Sequence, residues 1–233
     1  MNRQLVYILI FSAIICGCIG RGGTETTLSE ATSTTQMAAT TTTIQGPPTT
    51  TPEKTVTDCA KENDEQLRDW CYNEIAFESG DYTICGRMQN QELKDDCYKE
   101  IGIALNEPRA CNKTETRDMR DECYWNVGTS LEEPTLCRWI QEDYKRDYCY
   151  GETAMAIGDP DTCGKILDTD TRDNCLHAVA TTINDPQTCD RIQNQGTADK
   201  CRLEVAAALS NSSICNGIAN QELKEICKNT IEV

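Results

Sequence analysis

Sixteen cysteines and one histidine, His177, are the side chains of this 233-residue chain best suited to covalent or metal chemistry. Their spacing decides which chemistry. Haem attachment needs Cys-x-x-Cys-His, and catalytic thiol–disulfide exchange favours Cys-x-x-Cys. Neither motif occurs. Zinc sites are built from close ligand pairs such as Cys-x2–4-Cys, and the one close pair, Cys16 and Cys18, sits near the N-terminus. For His177 no nucleophile is indicated and no second unit repeats it, so it reads as a packed or solvent-facing histidine. No catalytic residue, metal or cofactor is expected, and the chain does not read as an enzyme. Cysteine at this density is foreign to a reducing cytosol and fits structural disulfides in an oxidising compartment.

The remaining fourteen cysteines run from Cys59 to Cys227 with gaps that alternate 12 and 14 without exception. The chain therefore writes one 26-residue unit seven times, the mark of a repeat array. Pro108, Pro134, Pro160 and Pro186 keep the same beat, each preceded by an acid. An acid followed by proline is a helix start. A short helix follows it, carrying Cys163 and Ile166 on one face. Polar residues from Asp168 to Thr171 break that helix. A second helix starts near Thr171, with Cys175, Val179, Ala180 and Ile183 forming one apolar stripe. The expected fold is all-α: a solenoid-like array of seven disulfide-bridged helical hairpins.

Geometry selects the pairing. Bridged cysteines have Cα atoms roughly 4.4–6.8 Å apart, whereas twelve residues of unbroken helix span about 18 Å. The polar turn midway between Cys163 and Cys175 brings them level. In the 14-residue gap the second helix fills most of the distance. Pairing across the 12-residue gaps also uses all fourteen cysteines, whereas the other choice strands Cys59 and Cys227. The predicted bridges are Cys59–Cys71, Cys85–Cys97, Cys111–Cys123, Cys137–Cys149, Cys163–Cys175, Cys189–Cys201 and Cys215–Cys227. Each closes a loop worth about 3 kcal/mol in the chain-entropy model, in units too small to hold themselves by burial alone. The first unit has Glu62 where later units place Met88, Ile140, Ile166, Ile192 and Ile218, as an end cap should. The third departs with Thr114, although it is internal.

Other side chains repeat on the same beat. A basic–acidic pair precedes most second-helix cysteines, as in Arg68-Asp69 and Arg172-Asp173. Those acids are expected in the first turn of the second helix, complementing its dipole. Tyr72, Tyr98, Tyr124 and Tyr150 follow the cysteines of the first four units, then give way to Leu176, Arg202 and Lys228. They are the candidate binding surface, an aromatic ladder for protein or glycan. With Trp125 and Trp139, that surface falls in the N-terminal half. Asn112 and Asn211 head N-glycosylation sequons.

The N-terminus supplies the setting. Arg3 is followed by an apolar run from Leu5 to Ile15, about 11 residues long. That is short of the roughly 20 that span a bilayer and fits a secretory leader. It ends in Ile14-Ile15-Cys16-Gly17-Cys18, which resembles the lipobox of prokaryotic lipoproteins. The resemblance implies cleavage after residue 17 and a lipid on Cys18. Residues 18–57 are then a Thr/Pro-rich stalk without a core to order it. It reads as extended and O-glycosylated, able to reach on the order of 100 Å. Leader and stalk together resemble exported lipoproteins of archaea. The array is expected over 58–233.

The net charge of −16 argues against nucleic acid, because no basic face exists to displace counterions from phosphates. It argues equally against adsorption to anionic lipid. The expected protein is a non-enzymatic lipoprotein, anchored in the cell membrane and facing outward. It would present its array to an envelope protein or glycan; the alternative is a passive spacer.

Overall fold

A computed structural model describes residues 55–231 of the chain. The leader and Cys18 lie outside the described residues, as does the stalk up to residue 54. Fourteen helical elements alternate short and long. The short ones are α1 (Val56–Cys59), α3 (Tyr82–Arg87), α5 (Pro108–Cys111), α7 (Cys137–Trp139), α9 (Pro160–Cys163), α11 (Pro186–Cys189) and α13 (Ile214–Gly217), of which α3, α7 and α13 are 3-10. The long ones are α2 (Glu65–Ser79), α4 (Gln91–Leu105), α6 (Arg117–Ser130), α8 (Asp143–Ile157), α10 (Thr169–Ile183), α12 (Gln195–Leu209) and α14 (Gln221–Ile231). The fold is the all-α array of hairpins, with no strand among the described residues.

Every bridge joins a short element to the long helix of its own unit. Cys59–Cys71, Cys85–Cys97, Cys111–Cys123, Cys137–Cys149, Cys163–Cys175, Cys189–Cys201 and Cys215–Cys227 hold Cα atoms 5.4–5.8 Å apart. The short helix is one turn, smaller than the spacing suggests: α9 ends at Cys163, and Ile166 lies beyond it. The long helix starts earlier than expected. Asp168 does not break the chain; its carboxylate accepts the Thr171 N–H at 2.8 Å and caps α10. Helix α1 starts inside the expected stalk, at Val56. Asp58 accepts both the Thr55 N–H, at 3.1 Å, and the Thr55 hydroxyl, at 2.6 Å, fixing the start of α1.

Long helices end through a left-handed residue, again on the 26-residue beat: Gly80, Asn106, Glu132, Gly158, Asn184 and Ser210 all have φ between 50° and 69°. This reverses the chain into the next short element. Three features then lock each unit to its neighbour.

The first is a small residue on each long helix. Ala76, Gly102, Gly128, Ala154, Ala180 and Ala206 are buried, and at the two glycines the next unit's bridge sulfurs sit close by. A Cβ on Gly102 would stand 2.8 Å from Cys123 Sγ.

The second is the acid that precedes each second-helix cysteine. It does not serve its own helix. Asp69, Asp95, Asp121, Asp147, Asp173 and Asp199 are buried and accept two consecutive backbone N–H groups from the following unit, at 2.7–3.1 Å. The second donor is always the residue just before the next long helix: Asn90, Thr116, Glu142, Asp168, Asn194 or Asn220. Charge-assisted bonds of this kind contribute about 1.5–3 kcal/mol each.

The third is an aliphatic residue before each left-handed turn: Leu105, Leu131, Ile157, Ile183 and Leu209. Leu105 rests on the turn at Gly80, and Ile183 on that at Gly158. The first unit has no predecessor to cover, and there the residue is Ser79.

The ends depart accordingly. No preceding aspartate reaches the Asp64 N–H, and the exposed Glu62 takes it instead, at 3.4 Å. At the other end the clamp position is Glu225, exposed and held by the Gln221 amide at 2.9 Å. Inside the array, Thr114 is 2% exposed with its hydroxyl oxygen unpartnered.

Candidate functional site

The tyrosine ladder is not a binding surface. Tyr72, Tyr98, Tyr124 and Tyr150 are buried, with 5–8% of their surface exposed. Tyr124 and Tyr150 meet side chains of the next unit. Tyr124 stacks on Trp139 with ring centroids 6.5 Å apart, and the Lys165 ammonium lies 5.6 Å from the Tyr150 ring. Tyr98 packs on Tyr82 of its own unit. In a later unit Arg202 replaces the tyrosine and the covering residue shrinks to Gly217, against which its stem lies. Burial holds the Tyr98, Tyr124 and Tyr150 phenols above their usual range. The ladder is packing between units.

Asn112 and Asn211 are both exposed. Asn211 caps the turn into α13, accepting the Ser213 N–H at 3.1 Å and its hydroxyl at 2.6 Å. His177 pairs through Nε2 with Glu204 of the next unit at 2.9 Å. Two units earlier Trp125 makes the same contact with Glu152, its indole N–H donating at 2.7 Å. The shared register shows that these contacts tie adjacent long helices together. No cluster of three metal-ligating side chains occurs among the described residues.

One exposed patch of aromatic and apolar side chains lies between α8 and α10. Tyr148 stacks on Trp125 with ring centroids 6.3 Å apart and planes 19° from parallel. Tyr148 is 54% exposed and Met155 41%. Between them stands Gly151, at the position that holds Asn73, Lys99, Trp125, His177 and Leu203 in other units. The missing side chain opens a groove of about 290 Å³ with almost wholly apolar walls. Tyr148, Glu152 and Met155 form one wall, Asn174 and Ala178 the other.

Packing does not dictate this glycine. A Cβ there would have Ile166 Cδ1 at 3.9 Å as its nearest neighbour, an ordinary contact. Nor does stacking account for Tyr148 and Met155. Their counterparts in the other described units are chemically mixed: Trp70, Asp96, Glu122, Asn174, Lys200 and Ile226 for the first, Phe77, Ile103, Thr129, Thr181 and Ala207 for the second. The aliphatic ridge, by contrast, recurs because it covers turns.

No family model, curated protein or solved structure matches this chain. The local geometry therefore carries the functional reading. The tyrosines stand out in the sequence because they recur, and the groove does not because it occurs once. Its one trace is a glycine inside a predicted helix, where glycine is unfavourable by roughly 1 kcal/mol against alanine.

Proposed function

We propose that this protein is a non-enzymatic lipoprotein of the cell surface, whose disulfide-stapled array serves as a rigid binding scaffold. Cys18 carries the lipid, the Thr/Pro-rich stalk gives distance from the membrane, and the array presents its outer face. The observation that supports binding is the exposed Tyr148 and Met155 around Gly151, which stacking of the units does not require. Exposed aromatics beside a groove are the usual material of recognition sites. Seven bridges support the exported setting, because such bonds persist in oxidising compartments.

The test has two arms. Cys18→Ser should move the protein from the membrane fraction to the medium, with the mass of the lipid lost. A photo-reactive amino acid at Met155 should cross-link to an envelope component in living cells. One at Arg109, whose side chain is 79% exposed in a different element, should not. Cross-linking at neither position would favour a passive spacer.

A further inference from the structure

Resting on that reading, we infer that the groove over Gly151 takes an apolar side chain from a basic protein segment, in preference to a glycan or an acidic partner. Its size is the first argument. At about 290 Å³ it lies at the bottom of the range for ligand sites, enough for one anchoring side chain with its neighbours lying along the furrow. Two long helices side by side form that furrow, a shape that accepts an amphipathic helix.

The wall chemistry is the second argument. A glycan needs many donors and acceptors. The lining offers mostly carbon, and the Glu152 carboxylate already accepts the Trp125 indole N–H at 2.7 Å. Trp125 stacks on one face of the Tyr148 ring, so that face is taken from any ligand.

Charge is the third. Glu152 is the one charged side chain of the lining, and no Lys or Arg lines the groove. Among the described residues Glu152 has no basic partner within ion-pair distance. Asp170, exposed, sits next to Thr171 at one end of the groove. The whole chain carries −16, which draws cationic partners and repels acidic ones before contact.

Three short fluorescent peptides test this on the exported, disulfide-bonded protein, read by anisotropy. One carries Leu at i, i+3, i+4 and i+7 with Lys elsewhere. The second replaces Lys by Glu, and the third replaces Leu by Ser. The Lys/Leu peptide should bind saturably, and the other two at least about tenfold more weakly. Gly151→Trp fills the groove with the residue found one unit earlier at the same position. It should weaken the Lys/Leu peptide at least about tenfold while the unfolding midpoint does not fall. Met155→Lys, on the rim, should do the same without adding bulk to the floor. Equal binding of the Glu/Leu peptide, or Lys/Leu binding that ignores both substitutions, overturns the inference. If no peptide binds while Met155 still cross-links in the envelope, the scaffold reading stands and the peptide chemistry falls.

Discussion

Asp69 in one unit accepts the backbone N–H of Asn90 in the next at 2.8 Å, and Asn90 in turn caps the following long helix. The aspartate bonds recur five more times, and Asp168, Asn194 and Asn220 cap their helices as Asn90 does, whereas Thr116 and Glu142 make no side-chain cap. The relay predicts unequal effects of deleting one kind of residue. Asp147→Ala removes the acceptor of the Leu167 and Asp168 N–H groups and should lower unfolding stability by about 3 kcal/mol. Glu225→Ala, at the exposed last position, should stay within about 0.5 kcal/mol. Urea unfolding of both variants with bridges intact measures the difference, and equal effects would refute the relay.

Acid should loosen the same joints. Burial raises the Asp95 and Asp199 carboxyls, but the hydrogen bonds they accept outweigh it: the Thr116 hydroxyl and two backbone N–H groups for Asp95, the Ala219 and Asn220 N–H groups for Asp199. Both carboxyls end below their ordinary value of 3.8. A folded value below the unfolded one gives stability that is present above pH 3.8 and lost as pH falls through the folded value. The urea midpoint should therefore hold from pH 7 to about 4 and drop below it. The double variant Asp95→Asn, Asp199→Asn should start lower and show a shallower drop.

Thr114 carries a buried hydroxyl without a partner where four other units carry isoleucine and one methionine. A buried unpaired polar group costs about 1–3 kcal/mol. Thr114→Val keeps the shape and removes the hydroxyl, so it should raise stability by about 1 kcal/mol. A calorimetric midpoint that falls instead would mean the hydroxyl finds a partner in solution.

Left-handed turns invite a parallel test. Glycine adopts positive φ freely, whereas other residues are strained there by about 1–2 kcal/mol. Gly80 and Gly158 suit the site; Ser210, at φ 50°, does not. Ser210→Gly should stabilise the C-terminal units by about 1 kcal/mol, visible as slower hydrogen exchange in α12 and α13. The same change at Glu132 should act on α6 and α7.

Much of this architecture is legible in the spacing of cysteines, because a bridge demands level Cα atoms and a helix sets them far apart. The relay is not. Its donors are backbone groups of residues as different as Gln89, Leu167 and Ala219, lying 20–21 positions from the acid, and no side-chain pattern marks them. The tyrosines mislead for a related reason: a repeat period is obeyed equally by packing and by surface. A signal was present fifteen positions on, where Arg87, Lys113, Trp139, Lys165 and Arg191 can cover the preceding unit and Gly217 answers Arg202. The groove is the reverse case. It arises from an absent side chain, Gly151, and its walls are recognisable only once α8 and α10 are side by side.

Reduction should proceed from one end. A preceding long helix covers each bridge from the second unit onward, and every cysteine in them is buried. Among the described residues the first bridge has no such cover. Cys71 is half-buried and, with Cys59, lines an open recess of about 630 Å³ beside Leu67 and the 68% exposed Trp70. Thiol–disulfide exchange needs access to a sulfur, so a mild thiol reductant should open Cys59–Cys71 first. Alkylation followed by peptide mapping should find these two cysteines labelled while the other twelve remain bonded. Tryptophan emission from Trp70 should shift in step. Placing a bulky side chain over the recess by Asn73→Trp should slow that first reduction and leave the later bridges unaffected. Labelling that begins at an interior bridge, or at all seven together, would mean that stacking does not shield the sulfurs.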